Sequence, residues 1–414
     1  MNMAPAFLGV NVARISMIVW NEFTNDARVL KEAQTLSLAG HHVSVHALHT
    51  PGVTSLRETL QDGIHVLRVP RSPFWKYRKS TAPGKTNAGA KSFARLGLFR
   101  FCLRIVARLW THFYLLLGML RAKPDVIHSH DVNTLVTGWV AAKLAKACLV
   151  YDAHEISTSR EGYAGLRKLV GMIERVLMPR VDGAITTTDA RAKFFARAYH
   201  IPRPIVLQNR PRQQQKIQSN RIREELGLER PWPIILYQGG IQQGRGLERL
   251  ARLAKDVPDT YFVFIGGGRL DGVLQTIAQE AGVADRVRFI STVALAELPS
   301  YTASADIGVQ PIENTCFNHF TTDSNKLFEY VQAGLPVIAS DLPEIRLIVR
   351  QYDLGVLVKP GDSAALVEAI GRLVGDRALR LHYAERARQA SSQLSWEAQE
   401  HELVDLYKKV LGTQ

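Results

Sequence analysis

The chain has 414 residues, 46% of them hydrophobic, so it is long enough for two domains with full-sized cores. Its net charge of +14 points to an anionic partner, while the three scattered cysteines (Cys102, Cys148, Cys316) form neither a disulfide framework nor a zinc-ligand spacing and fit a reducing cytoplasm. The N-terminal segment lacks a basic stretch with a cleavage site, and the longest apolar run, Leu109–Leu120, is short and carries His112, so neither a secretory signal nor a transmembrane helix is expected.

Strand-like and helix-like segments alternate along almost the whole chain, the pattern of parallel α/β layers. The first strand spans Ala13–Trp20. A helix then runs to Ala39, capped by Asn25 or Thr24, with Val29, Leu30, Ala33 and Leu36 on its apolar face and Gly40 as its stop. The strand HVSVHAL follows. From Val66 to Pro124 there is no acidic residue, and this stretch nearly accounts for the excess positive charge. Within it Arg100, Arg104 and Arg108 recur every fourth residue and share one helix face, flanked by Phe101, Val106, Leu109, Trp110 and Phe113. Such a basic amphipathic helix is expected to lie on an anionic membrane. No nucleic-acid-reading motif accompanies the charge, so nucleic acid is not expected.

The segments DVIHSH, CLVYDAHE, DGAITTT and PIVLQN continue the first half as strands, with a helix through Leu135–Lys146 between the first two. This gives a first Rossmann-like domain over residues 1–210. Residues 211–232 are polar and bounded by prolines, and read as a linker with a short helix inside. Alternation restarts with PIILYQ, TYFVFIG, RVRFI, DIGVQPI, LPVIAS and LGVLVKP, giving a second Rossmann-like domain over 233–390. The final stretch, 391–414, reads as a helix with Ser395 as its N-cap.

In open α/β sheets ligands sit beyond the carboxyl ends of the strands, so the residues just after each strand are the candidates for chemistry. Gly239, Gly240, Gly244 and Gly246 surround Arg245 between a strand and a helix, and Gly266, Gly267 and Gly268 repeat the pattern after the next strand. Glycine lets backbone approach an anion, a helix N-terminus offers free N–H groups, and the arginine adds a fixed cation; equally, such a turn needs glycine simply to reach positive φ. In TTDSNKLFEYVQAGLPVIAS, Ser324 or Asp323 caps a helix with Lys326 in its first turn, against the dipole, which makes sense if an anion docks there. Glu329, one turn later, has the chemistry to bind a vicinal diol such as a ribose. In the first half His130 and Asp131 follow one strand, and His154 and Glu155 another, so both pairs fall on one sheet edge and suit sugar contacts or proton handling. Asn25, Asp26 and Arg28 open the first helix beside the cleft, placed to touch a phosphate or an acceptor. No His/Asp/Glu spacing matches a metal-binding helix, so no metal or other cofactor is expected.

The ordered set NDARVLKEAQTLSLAGHHVSV, DVIHSHDVNTL, LVYDAHE, YQGGIQQGRGLE, VRFISTV and NKLFEYVQAGLPVIASD resembles glycosyltransferase family 4, from about Arg14 to Tyr407. The resemblance implies the GT-B fold, with two Rossmann-like domains facing across a cleft, and retaining transfer from a UDP- or GDP-linked sugar held by the second domain. It implies that Glu329 holds the ribose, that Arg245 takes the place of the usual diphosphate lysine, and that Ser324, Asn325 and Lys326 line the phosphates and sugar. Thr292 and Val293 are expected to read the base, His154 to approach the donor sugar, and the last helix to cross back to the first domain. Two positions depart from the family pattern. Thr321 stands where the first glutamate of E-x7-E belongs, with Asp323 or Glu313 as replacements, and Gly240 stands where an arginine is usual, a charge Lys326 can make up. The expected acceptor is a glycan or a polyprenyl-phosphate-linked sugar, the lipid-linked form motivated by the basic region, in bacterial surface polysaccharide synthesis on the inner face of the cell membrane. A nucleotide-sugar 2-epimerase and an inactive sugar-nucleotide-binding subunit are the alternatives.

Overall fold

The computed structural model describes residues 12–72, 90–215 and 217–412, with the side chains of 90–101, 161 and 164 outside that description. The first sheet contains β1 (Arg14–Ile18), β2 (His42–His49), β3 (Arg57–Thr59), β4 (His65–Pro70), β5 (Val126–His130), β6 (Cys148–Ala153), β7 (Gly183–Thr186) and β8 (Ile205–Val206). Its order is β3-β4-β2-β1-β5-β6-β7-β8, parallel except for the β3–β4 pair. The second sheet contains β9 (Ile234–Gln238), β10 (Tyr261–Ile265), β11 (Val287–Ile290), β12 (Ile307–Gln310), β13 (Val337–Ser340) and β14 (Gly355–Val358). Its order is β11-β10-β9-β12-β13-β14, parallel throughout. The central strands are buried on both faces, as continuous runs such as IILYQ and YFVFI require. Each sheet carries one apolar cluster on each face, so the chain has two doubly wound domains.

Four details differ from the sequence reading. The three-residue β3 is too short to show a strand period of its own and pairs antiparallel with β4 at the edge of the first sheet. The first helix, Ala27–Leu38, is capped by Asp26 and not by Asn25 or Thr24: the Asp26 carboxylate accepts from Val29 N at 3.2 Å and is itself held by Asn21 Nδ2 at 2.7 Å. The linker helix, Arg221–Leu226, belongs physically to the second domain, because Ile222 and Leu228 join its core. The last helix begins at Glu400, not after Ser395, whose hydroxyl donates to Ser392 O. The chain between is held in turns because Trp396 is fully buried in the first domain and donates its Nε1–H to Thr35 Oγ1 at 2.8 Å. Leu403, Tyr407 and Val410 follow it into that core, so the C-terminal segment staples the second domain to the first.

Of the basic stretch 66–124, residues 66–70 fall in β4, residues 73–89 lie outside the described residues, and Ala90–Arg121 folds as a helix. Arg100 lies outside the described side chains. Thr111, Leu115 and Met119 are buried against the domain, whereas Leu109 and Phe113 are 62% and 54% exposed. By length and composition alone, Cys102–Arg121 suffices to cross a membrane, although Arg104, Arg108 and His112 interrupt its apolar run. Arg104 faces solvent. Arg108 instead folds back, donating to Asn133 Oδ1 at 2.6 Å and stacking 4.8 Å above the Trp20 ring.

Candidate active site

A cavity of about 840 Å³ lies between the domains, at the carboxyl edges of both sheets. The domains close on it through buried polar contacts. Asn318, from the second domain, accepts from Ile156 N at 2.8 Å and donates to Ile156 O at 3.1 Å. Arg191, from the first, donates to Thr321 Oγ1, Asn318 O and His154 O at 3.2, 3.1 and 2.7 Å. Gln208 Nε2 reaches Asp323 Oδ2 at 2.9 Å.

On the second-domain wall the helix Asn325–Gln332 points its N-terminus at the cavity. Ser324 sits at the cap with φ 59° and makes no side-chain cap bond; Leu327 N donates to Ser324 O at 3.1 Å, which leaves the Asn325 and Lys326 N–H groups for an external acceptor. Lys326 and Arg245 both line the cavity. Burial, with Arg245 nearby, drags the Lys326 ammonium down to about 7, so an anion placed there would be gripped and would restore its charge. Glu329 lines the same wall and accepts from Gln238 Nε2 at 2.5 Å.

The glycines act one layer back. Gly239, Gly240, Gly266 and Gly267 do not line the cavity. A Cβ on Gly239 would lie 3.0 Å from Lys326 Cε, so the glycine makes room for that lysine. A Cβ on Gly266 would fall 2.1 Å from Gly239 O, and one on Gly246 2.1 Å from Pro311 O. These residues let two post-strand turns approach. Thr292 and Val293 also stay off the cavity wall; Val293 packs on the core, and Leu295, Ala296, Leu298 and Pro299 line the space instead.

One of the two family departures, Thr321, acquires physical meaning. Thr321 is fully buried, receives Arg191 Nε and has its carbonyl bound by Thr188 Oγ1 at 3.1 Å, so this position builds the domain contact and not the sugar wall. Of the two expected substitutes, Asp323 lines the cavity, with burial raising its pKa, whereas Glu313 is paired with Arg249 elsewhere.

On the first-domain wall Asn25, Arg28, His154 and Glu155 line the cavity, but His130 and Asp131 do not. Register explains this. His130 pairs with Asp152 across β5 and β6, and both side chains are buried behind the wall. Asp152 accepts from Arg28 Nε and Nη2 at 2.7 and 2.8 Å; His154 Nε2 lies 2.9 Å and His130 Nδ1 3.3 Å from it. Arg28 also donates to Leu207 O at 2.6 Å and lies 3.1 Å from Glu32, so its guanidinium is spent inside the domain and is no free phosphate ligand. Asp131, at φ 62°, lies 3.4 Å from Arg160 and 3.9 Å from His154 Nδ1. Burial opposes charge on His154, but Asp152 and Asp131 outweigh it and raise the imidazole to about 9. Glu32, His128, His130 and Asp152 place donor atoms within 4.8 Å of one another, a set with metal-ligand chemistry. The fit is poor, because Arg28 already occupies both Asp152 oxygens and supplies the countercharge.

Sequence reasoning missed Asp152, Arg191 and Lys31. Asp152 had a signal, a carboxylate inside the buried strand CLVYDA; Lys31 had another, lying three residues after Arg28 on one helix face. Nothing local marks Arg191, whose partners lie across the domain boundary.

Two family models tile the chain: "Glycosyl transferase 4-like domain" over residues 26–209 and "Glycosyl transferases group 1" over 218–390. The chain is 25% identical over 401 residues to a D-inositol 3-phosphate glycosyltransferase of Xylanimonas cellulosilytica, covering 92% of this chain and 90% of that one. It is 25% identical to the phosphatidyl-myo-inositol mannosyltransferase of Mycobacterium leprae over 69% of this chain and 74% of that one. The fold matches sucrose-phosphate synthase from Thermosynechococcus elongatus with a TM-score of 0.76 at 19% identity, covering 97% and 100% of the two chains. It also matches Anabaena Alr3699/HepE in complex with UDP-glucose, with a TM-score of 0.69 at 17% identity, covering 97% and 99%. Two facing Rossmann-like domains, a cleft between them and family models over both halves make this chain a GT-B glycosyltransferase of family 4.

Proposed function

We propose that the protein is a retaining transferase that moves a sugar from a UDP- or GDP-linked donor to a glycan or polyprenyl-phosphate-linked acceptor, in bacterial surface polysaccharide synthesis. The observation that carries this reading is the uncapped helix end Ser324–Asn325–Lys326, with Glu329 one turn on and Arg245 beside it, on one wall of the interdomain cavity. The leaving diphosphate carries developing negative charge, and Lys326, Arg245 and the helix N–H groups stabilise it without a metal ion. Glu329 takes the ribose hydroxyls. Asp323 faces the sugar in place of the missing family glutamate. His154, protonated against Asp152, acts as a hydrogen-bond donor and a fixed charge and not as a base, so the leaving phosphate oxygen accepts the acceptor's proton. The closed domains exclude water and suppress hydrolysis. The structural neighbour with UDP-glucose supports a uridine donor first.

The acceptor reading draws on the outer face of the first domain. Helices Ala90–Arg121 and Arg167–Leu177 both pack on helix Val132–Ala145. They leave Leu109, Phe113, Leu169 and Met172 exposed, with Arg104, Lys168 and Arg175 also at the surface. This apolar and basic face suits an anionic bilayer on the cytoplasmic side. The test supplies UDP-glucose or GDP-mannose with a polyprenyl-diphosphate-linked sugar in vesicles containing anionic lipid and reads the product by NMR. An axial, donor-like anomeric configuration is expected; the inverted anomer, or free epimerised sugar nucleotide without acceptor, contradicts the proposal. Leu109→Asp with Met172→Asp should reduce flotation with anionic vesicles, and unchanged flotation removes the membrane assignment.

A further inference from the structure

The cavity is lined by two separate sets of cations, with Glu329 within electrostatic reach of both. Lys326 and Arg245 are the first set. The second, Lys31 and Arg212, belongs to the opposite wall. Lys31 projects from the first-domain helix one turn after Asp26, is only 7% exposed, and lines the cavity. Its ammonium donates to Asn209 Oδ1 at 2.7 Å and lies 5.5 Å from the centroid of the buried Trp396 ring. Among the described residues no carboxylate comes within ion-pair distance of it, since Glu32, its neighbour in sequence, turns to Arg28. Arg212 is anchored by Glu397 at 3.2 Å and Glu400 at 3.6 Å, yet its Nη2 is buried without a hydrogen-bond partner. Asn209, Gln34 and Gln214 complete this wall with amide groups.

A buried lysine with a neutral partner is an expensive arrangement to keep unless something anionic visits it. Burial, helped by Arg28 and Arg212, drags the Lys31 ammonium down to about 7, and an arriving anion reverses that. Lys31 stands on the helix Ala27–Leu38 of the first domain and Lys326 on the helix Asn325–Gln332 of the second, so the two sets face the cavity from different domains.

We propose that Lys31, Asn209 and Arg212 form a second phosphate-binding subsite, distinct from the donor diphosphate site, that holds a phosphate group of the acceptor. The proposal rests on the transferase reading above, in which the first domain receives the acceptor. A phosphate offers up to two charges and several acceptor oxygens, matching an ammonium, a free guanidinium N–H and an amide. The same chemistry is carried by the donor's own diphosphate, and the two sources are separable.

Inorganic phosphate is titrated by calorimetry, at constant ionic strength, into protein saturated with UDP or GDP, whichever binds. Wild type, Lys31→Met, Lys31→Arg and Arg212→Gln are compared, and the nucleotide itself is titrated into each. Wild type should bind phosphate with nucleotide in place. The affinity should fall about tenfold or more in Lys31→Met and in Arg212→Gln, and recover to within about threefold in Lys31→Arg. Nucleotide affinity should change by less than about twofold, which also shows that the variants are folded. No phosphate binding to nucleotide-loaded wild type, or equal binding by Lys31→Met, overturns the subsite. A tenfold loss of nucleotide affinity in Lys31→Met assigns Lys31 to the donor diphosphate and also overturns it. If neither nucleotide binds wild type, the donor reading fails on its own, and the titration without nucleotide still reads Lys31.

Discussion

Replacing Asp152 with asparagine isolates the buried network behind the cavity wall. The carboxylate is fully buried and balances Arg28 through two bonds of 2.7 and 2.8 Å and His154 through a contact of 2.9 Å. An amide of the same shape leaves Arg28 with Glu32 as its remaining acidic partner and forces one N–H donor against another. Removing one member of a buried, bonded charge pair costs about 3–5 kcal/mol. For a domain of this size that corresponds to a fall in Tm on the order of 10 °C. His154 adds a pH signature. Its folded pKa, about 9, lies above the ordinary 6.5. The stabilisation it brings is therefore complete below pH 6.5 and is lost as pH rises through 9, amounting to about 3 kcal/mol for a largely buried ring. In Asp152→Asn that pH dependence should flatten, and the His154 ring should titrate near or below its ordinary value. Thermal unfolding from pH 6 to 10 and NMR titration of the ring read both effects. A Tm change below about 3 °C together with an unchanged His154 titration refutes the network as drawn.

Three further outcomes concern the domain contact at Asn318, the turn at Gly246 and the buried Lys326. Asn318→Ala removes both bonds to the Ile156 backbone and leaves those groups unpaired at the domain contact. The closed state should weaken by about 1–3 kcal/mol, read as a larger radius of gyration in solution scattering and a raised KM for the donor, and an unchanged radius and KM contradict this. Gly246→Ala places a Cβ 2.1 Å from Pro311 O at φ +71°, and should destabilise the second domain by at least about 2 kcal/mol in denaturant unfolding. A neutral result would mean that this turn relaxes freely. Nucleotide binding at pH 8 should take up about one proton, because Lys326 titrates at about 7 when free and regains its proton beside a diphosphate. Calorimetry in buffers of different ionisation enthalpy measures the uptake, which should largely vanish in Lys326→Met; no uptake by wild type is the contrary result.

The parallel layers were legible because runs such as VIHSH, CLVYDA and IILYQ are buried on both faces and carry the strand signal within themselves. The β3–β4 pair was not, since Arg57–Thr59 is too short to show a strand period of its own and depends on its partner for existence. In the site, Lys326, Glu329 and Arg245 could be placed from their position after strands, because helix polarity and strand direction decide which end faces the cleft. Arg28 and His130 looked equally placed but are drawn inward, since only the β5–β6 register reveals that Asp152 lies beside His130 and within reach of Arg28. Thr321 illustrates the same limit. Its hydroxyl looked like a lost acid until Arg191, 130 positions away in sequence, was found against it. Contacts made across the domain boundary leave no periodicity to read.

The most direct test of the account is thermal stabilisation by UDP, GDP and ADP, run beside Glu329→Ala. One nucleotide, supplied at about a hundredfold above its dissociation constant, should stabilise wild type by about 2.7 kcal/mol, and that gain should be lost in the variant. Stabilisation by no nucleotide, or equal stabilisation of Glu329→Ala, would contradict the donor site built on Ser324–Glu329.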